Sequence, residues 1–136
     1  MYETFDHTAD LGLRVRAADL PTLLAEAARG LTAMIVADLN TVRPDKKVSF
    51  RVEGDAPDYL LFDWLNELLF AFESERMLYS RFEVRVDAGG LWADAWGEPL
   101  DLARHPLEHE VKAITYHRLV VEEQADGWFA EVIVDI

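Results

Sequence analysis

The sequence predicts an α+β fold: a mostly antiparallel sheet with two long helices packed on one face, in one domain over residues 1–136. Three observations predict it. Apolar residues alternate with period two in several short segments. Two longer stretches carry helical spacing. The late segments are joined by tight-turn residues, which favours hairpins over crossover connections.

Residues 2–5 form a short strand candidate. Leu11-Gly12-Leu13-Arg14-Val15-Arg16-Ala17 alternates as a half-buried strand. Asp19 is placed to cap a helix with Pro21 in its first turn. Leu23, Leu24, Ala27, Ala28, Leu31, Met34 and Ile35 then recur on one helical face. Residues 38–44 read as a loop, and Val48, Phe50 and Val52 as a strand. The second helix spans residues 58–76. Leu61, Trp64, Leu65, Leu68 and Phe72 form its apolar stripe, with Asp63, Asn66 and Glu67 as a narrow polar one. Phe82, Val84 and Val86 alternate, Ala88-Gly89-Gly90 turns the chain, and Leu91, Ala93 and Ala95 alternate in return. Residues 98–110 are polar and irregular. A final hairpin runs from 114–122 through Gln124-Ala125-Asp126-Gly127 to 128–135.

Composition narrows the function classes. With 51% hydrophobic residues the chain has material for a packed core. Having no cysteine, it forms no disulfide and no thiolate metal site. No apolar run approaches the ~18 residues of a membrane span. Met1-Tyr2-Glu3-Thr4-Phe5 lacks the basic and apolar regions of a signal peptide, so a cytoplasmic location is expected. The net charge of −13 repels phosphate backbones, and favours cations or a basic protein partner.

Two carboxylates stand out. Asp10 closes Asp6-His7-Thr8-Ala9-Asp10, and Asp135 follows the apolar run Val132-Ile133-Val134. If folding joins them, they and the α-carboxylate of Ile136 form an oxygen-rich cradle for a hard cation. The alternative is that Asp10 caps a turn and Asp135 is solvated. His7 is placed to ligate a softer metal or act as a base, or to bond backbone in a loop. Lys112, flanked by Val111 and Ala113, either faces a carboxylate or anionic ligand or snorkels at an edge. His105 and His109 have the i, i+4 spacing of a helical zinc pair, but Pro106 opposes a helix there. His117 falls inside an expected strand. No phosphate loop or nucleophile elbow is present, so no autonomous catalytic constellation emerges.

Five strings, taken in order, carry a family resemblance. They are Tyr2-Glu3 with Asp6-His7-Thr8-Ala9-Asp10-Leu11-Gly12; Asp63-Trp64-Leu65-Asn66-Glu67-Leu68-Leu69; Gly97-Glu98; Glu110-Val111-Lys112-Ala113-Ile114-Thr115-Tyr116-His117; and Gly127-Trp128 with Val132-Ile133-Val134-Asp135-Ile136. Together they resemble the archease family over nearly the whole chain. The resemblance implies an accessory factor of an RtcB-type RNA ligase, which joins RNA ends in tRNA splicing using GTP and a divalent metal. An archease promotes ligase guanylylation and multiple turnover, and meets tRNA only through the ligase. The resemblance also implies a divalent metal, calcium, on Asp10, Asp135 and Ile136, with His7 and Lys112 beside that site or touching the partner. Two rival classes remain at this point. One is a small metal-dependent hydrolase using His7 as base. The other is a binding module whose acidic surface docks a basic protein and whose metal is structural.

Overall fold

In the computed structural model, residues 1–7 and 10–136 are described, the side chain of His7 excepted. The strands are β1 (Tyr2–His7), β2 (Asp10–Ala17), β3 (Lys46–Glu53), β4 (Met77–Asp87), β5 (Gly90–Pro99), β6 (Ala113–Ile114), β7 (Val120–Gln124) and β8 (Gly127–Asp135). The helices are α1 (Leu20–Ile35) and α2 (Pro57–Glu75). The α+β class holds and every strand pair is antiparallel. The strands divide into two sheets. One has the order β1-β2-β8-β6, with β7 also paired to β8; the other is β3-β5-β4. Both helices touch strands of both sheets, so each sheet buries one face against them.

The helices form where sequence physics places them. Asp19 caps α1 by accepting the Thr22 N–H at 2.8 Å. The expected apolar stripe, Leu23 to Ile35 at helical spacing, is buried. Trp64 of α2 is fully buried and locks the helices together by donating its indole N–H to the Leu24 carbonyl at 3.0 Å. α2 ends at Arg76, whose left-handed φ of 56° stops the helical ladder.

Period-two alternation sorts the first sheet, although Ile133 on the other side is also fully buried. Leu11, Leu13 and Val15 face Val134, Val132 and Ala130 on the core side. Asp10, Gly12 and Arg14 then share the outer side with Asp135, Ile133 and Glu131.

The expected strand over 114–122 is broken. Ile114 faces Val134 while Val120 faces Glu131, six steps on one chain against three on the other. The extra residues must loop out, and Arg118 takes a left-handed φ of 57° there. His117 therefore lies in an exposed loop rather than inside a strand.

Candidate functional site

Asp10 opens β2 and Asp135 closes β8, and the two are direct cross-strand partners. Because their neighbours Leu11 and Val134 point into the core, both carboxylates emerge on the outer face of the sheet end. Directly opposed residues have Cβ atoms roughly 5 Å apart, and like charges so placed are destabilising. Asp10 is half-buried and Asp135 exposed. Ile136, next in the chain, packs its side chain against the core, which anchors the strand end.

The third element is β6. Ala113 pairs with Asp135, and the Lys112 N–H donates to the Asp135 carbonyl at 2.7 Å. This bond places Lys112 one residue from the carboxylate pair. Its side chain is exposed at the lip of a cleft of about 680 Å³, lined also by Phe72, Glu73, Arg76, Glu108 and His109. The fold thus brings together Asp10, Asp135, Ile136 and Lys112 from chain positions 10 to 136.

The donor chemistry suits a hard divalent cation. Two carboxylates and adjacent main-chain oxygens are oxygen ligands, and a cation between the Asp pair would offset their repulsion. Calcium takes roughly 6–8 oxygens, so water or a partner must complete such a shell. Among the described residues, no three or more His, Asp or Glu side chains are grouped to hold a metal. The part expected of His7 lies outside the described residues.

The helix that a zinc pair at His105 and His109 would need, and that Pro106 opposes, does not form over residues 105–109. That segment is strapped to the end of α1 instead, with the Glu108 N–H on the Ile35 carbonyl at 2.8 Å and the His109 N–H on Met34 at 3.1 Å. His105 is fully buried, and both ring nitrogens are used. Nδ1 accepts the Asp101 N–H at 2.9 Å, which leaves the proton on Nε2, 2.9 Å from Glu98.

Glu98 also holds the Arg104 guanidinium and accepts the Arg43 N–H at 2.8 Å. The Arg104 hydrogen bonds above all, with those from Arg43 and His105, hold the Glu98 carboxyl down to about 2 against the opposing effect of burial. This is a structural ionic lock between β5 and the 101–105 turn. Its members, 43, 98, 104 and 105, have no shared sequence period that would announce them.

A model of the archease protein family matches residues 2–136. The chain belongs to the archease family. It is 42% identical to the protein archease of Methanopyrus kandleri, covering 99% of each chain. Against the protein archease of Pyrococcus abyssi the identity is 36%, over 99% of this chain and 98% of the other. The solution structure of protein 1598 of Methanobacterium thermoautotrophicum superposes with a TM-score of 0.86 at 32% identity, covering 99% and 98% of the two chains. The crystal structure of a Thermotoga maritima archease, described as a possible chaperone, gives 0.68 at 20% identity over 100% and 98%, a likeness of fold. The archease match takes in the whole β2–β8 pair, so the carboxylates of Asp10 and Asp135 lie within the archease region. Among the described residues, no helix of this archease is long and apolar enough to cross a membrane.

Proposed function

We propose that this chain activates an RtcB-type RNA ligase, promoting its guanylylation and multiple turnover, with a divalent cation, calcium, bound at Asp10, Asp135 and the main-chain oxygens of Ile136. The observation that carries the reading is the direct cross-strand pairing of Asp10 with Asp135, with β6 bonded alongside through Lys112. Two carboxylates at a sheet end make an acidic tip for a cation or a second protein to meet. When bound, the cation supplies positive charge between oxygens and positions them.

The chain's own residues do the rest. The core-facing side chains of Leu11 and Val134 fix where the carboxylates point. The Lys112 N–H holds the β8 end against β6. The tip then meets a basic, metal-dependent pocket of the ligase and opens it to GTP or metal. A net charge of −13 favours that encounter and keeps contact with tRNA indirect. The hydrolase reading needs His7 as base, and no described observation favours it.

The test is multiple-turnover ligation with and without this chain. Asp10→Ala and Asp135→Ala should each abolish stimulation while the protein stays folded. If both variants stimulate as well as the unaltered chain, the reading is abandoned.

A further inference from the structure

A second surface lies beyond the carboxylate tip. Tyr116, in the loop after β6, stacks on Phe62 of α2 with centroids 3.8 Å apart and planes 13° from parallel. Tyr59, one turn earlier on α2, meets Tyr116 edge-on at 6.0 Å. Tyr59 and Tyr116 are each 56% exposed. One face of the Tyr116 ring is covered by Phe62, so its exposure is toward solvent.

Acid surrounds these rings. Asp63 is exposed beside Phe62, and Asp58 sits beside Tyr59, accepting its N–H at 2.9 Å. Partial desolvation and then the negative charges of Asp63 and Asp58, with Tyr59, push the Tyr116 phenol above its ordinary value. Among the described residues, neither Asp58 nor Asp63 enters an ion pair.

Elsewhere four exposed or half-buried rings carry one of the chain's own arginines, whereas the exposed Phe70 carries none among the described residues. Arg14 lies 4.1 Å from the Phe5 centroid, Arg16 4.9 Å from Phe129, Arg51 4.2 Å from Trp92 and Arg81 4.4 Å from Trp96. No described cation does this for Tyr59, Phe62 or Tyr116. The patch has the rings and the carboxylates of an arginine site and lacks the arginine.

We propose that the Tyr59–Phe62–Tyr116 patch, with Asp58 and Asp63 as counter-charges, seats an arginine-bearing segment of a protein partner. Planar guanidinium stacks on a ring while donating to a carboxylate, which ammonium does less well. Nucleic acid is the poorer occupant, because the flanking carboxylates repel phosphate. The patch is joined to the tip through β6. Ala113 pairs with Asp135, and Tyr116 is three residues further, within about 10 Å along the chain. That this partner is the ligase rests on the function proposed above; the arginine chemistry does not.

The test has two arms, using the full chain with Asp63→Asn and Tyr116→Leu, the latter keeping an apolar contact for Phe62. In the first, oligoarginine, oligolysine of equal length and an oligouridylate are titrated while tyrosine ring signals are followed. Oligoarginine should bind about fivefold tighter than oligolysine, and each substitution should remove that preference. Equal binding of the two peptides, uridylate binding at these rings, or a preference that survives both substitutions overturns the proposal. In the second arm, the dissociation constant for the ligase should rise about tenfold in each variant, with stimulation recovered at saturating protein. An unchanged constant in both variants overturns this surface while leaving the tip's role standing. Failure of the unaltered chain to bind the ligase removes the ligase reading, and the oligoarginine arm alone then decides the arginine site.

Discussion

Asp10 stands directly opposite Asp135 across the β2–β8 pair, so two carboxylates meet at one exposed sheet end. Nothing about their separation in sequence brings them together. The inward alternation of two strands does so, and it leaves each pointing away from the core. Like charges directly opposed are in general a cost to a sheet, and a cation bound between these two would relieve it.

The first prediction follows from that cost. With chelator present, Asp135→Asn should match the unaltered chain in stability or exceed it by up to about 1 kcal/mol, since a like-charge pair has gone. Added calcium should raise the melting temperature of the unaltered chain and leave that of Asp135→Asn in place. Thermal denaturation with and without calcium checks both parts, and identical calcium responses would remove the cation from this position.

A second prediction concerns Glu98. Its carboxyl is held at about 2 in the folded chain against an ordinary 4.5, chiefly by Arg104. A lowered folded value stabilises above the unfolded one, so the contribution is complete above about pH 4.5 and is lost as pH falls toward 2. Glu98→Gln should cost about 2–3 kcal/mol near neutrality, because the charge is lost and an NH2 donor replaces one of the two oxygens that accept from Arg43, Arg104 and His105. It should also flatten the acid limb, read from urea midpoints across that range.

Gly97 and Gly12 should differ in tolerance. A Cβ on Gly97 would lie 1.8 Å from the Leu78 carbonyl oxygen, beside the register shift between Tyr79 and Arg81. Backbone cannot step aside, so Gly97→Ala should cost at least about 2 kcal/mol. At Gly12 the obstruction is the Phe5 ring, at 1.9 Å, which can rotate away. Gly12→Ala should therefore be the milder change in chemical denaturation, and the reverse order would contradict this packing.

Trp64→Phe should cost about 2 kcal/mol. It removes the indole N–H to Leu24 and leaves unfilled space against Phe50 and Phe82, which meet the Trp64 ring edge-on at 5.5 and 6.0 Å. The loss should appear in the unfolding midpoint with little change in far-ultraviolet circular dichroism, because the helices remain.

The sequence by itself determined the local elements. Asp19 and Pro21 announce the start of α1, apolar spacing marks the buried faces of both helices, and period-two alternation marks β2, β3, β4 and β5. These follow from interactions within a few residues, where spacing along the chain is spacing in space. That Asp10 and Asp135 face away from the core follows from the strand pairing, which turns Leu11 and Val134 inward. Only tertiary structure decided that they face each other, since a long-range pairing register leaves no local trace. It also split the strand expected over 114–122, because β8 pairs with two segments out of step, and so moved His117 into a loop. It turned His105 from a zinc candidate into a buried partner of Glu98, and set Tyr116 on Phe62, two rings whose fifty-odd intervening residues give no hint of contact. Except for His105 and Glu98, seven residues apart, the deciding interaction joins residues far apart in sequence, and its energy is realised only when the two sheets close on the helices.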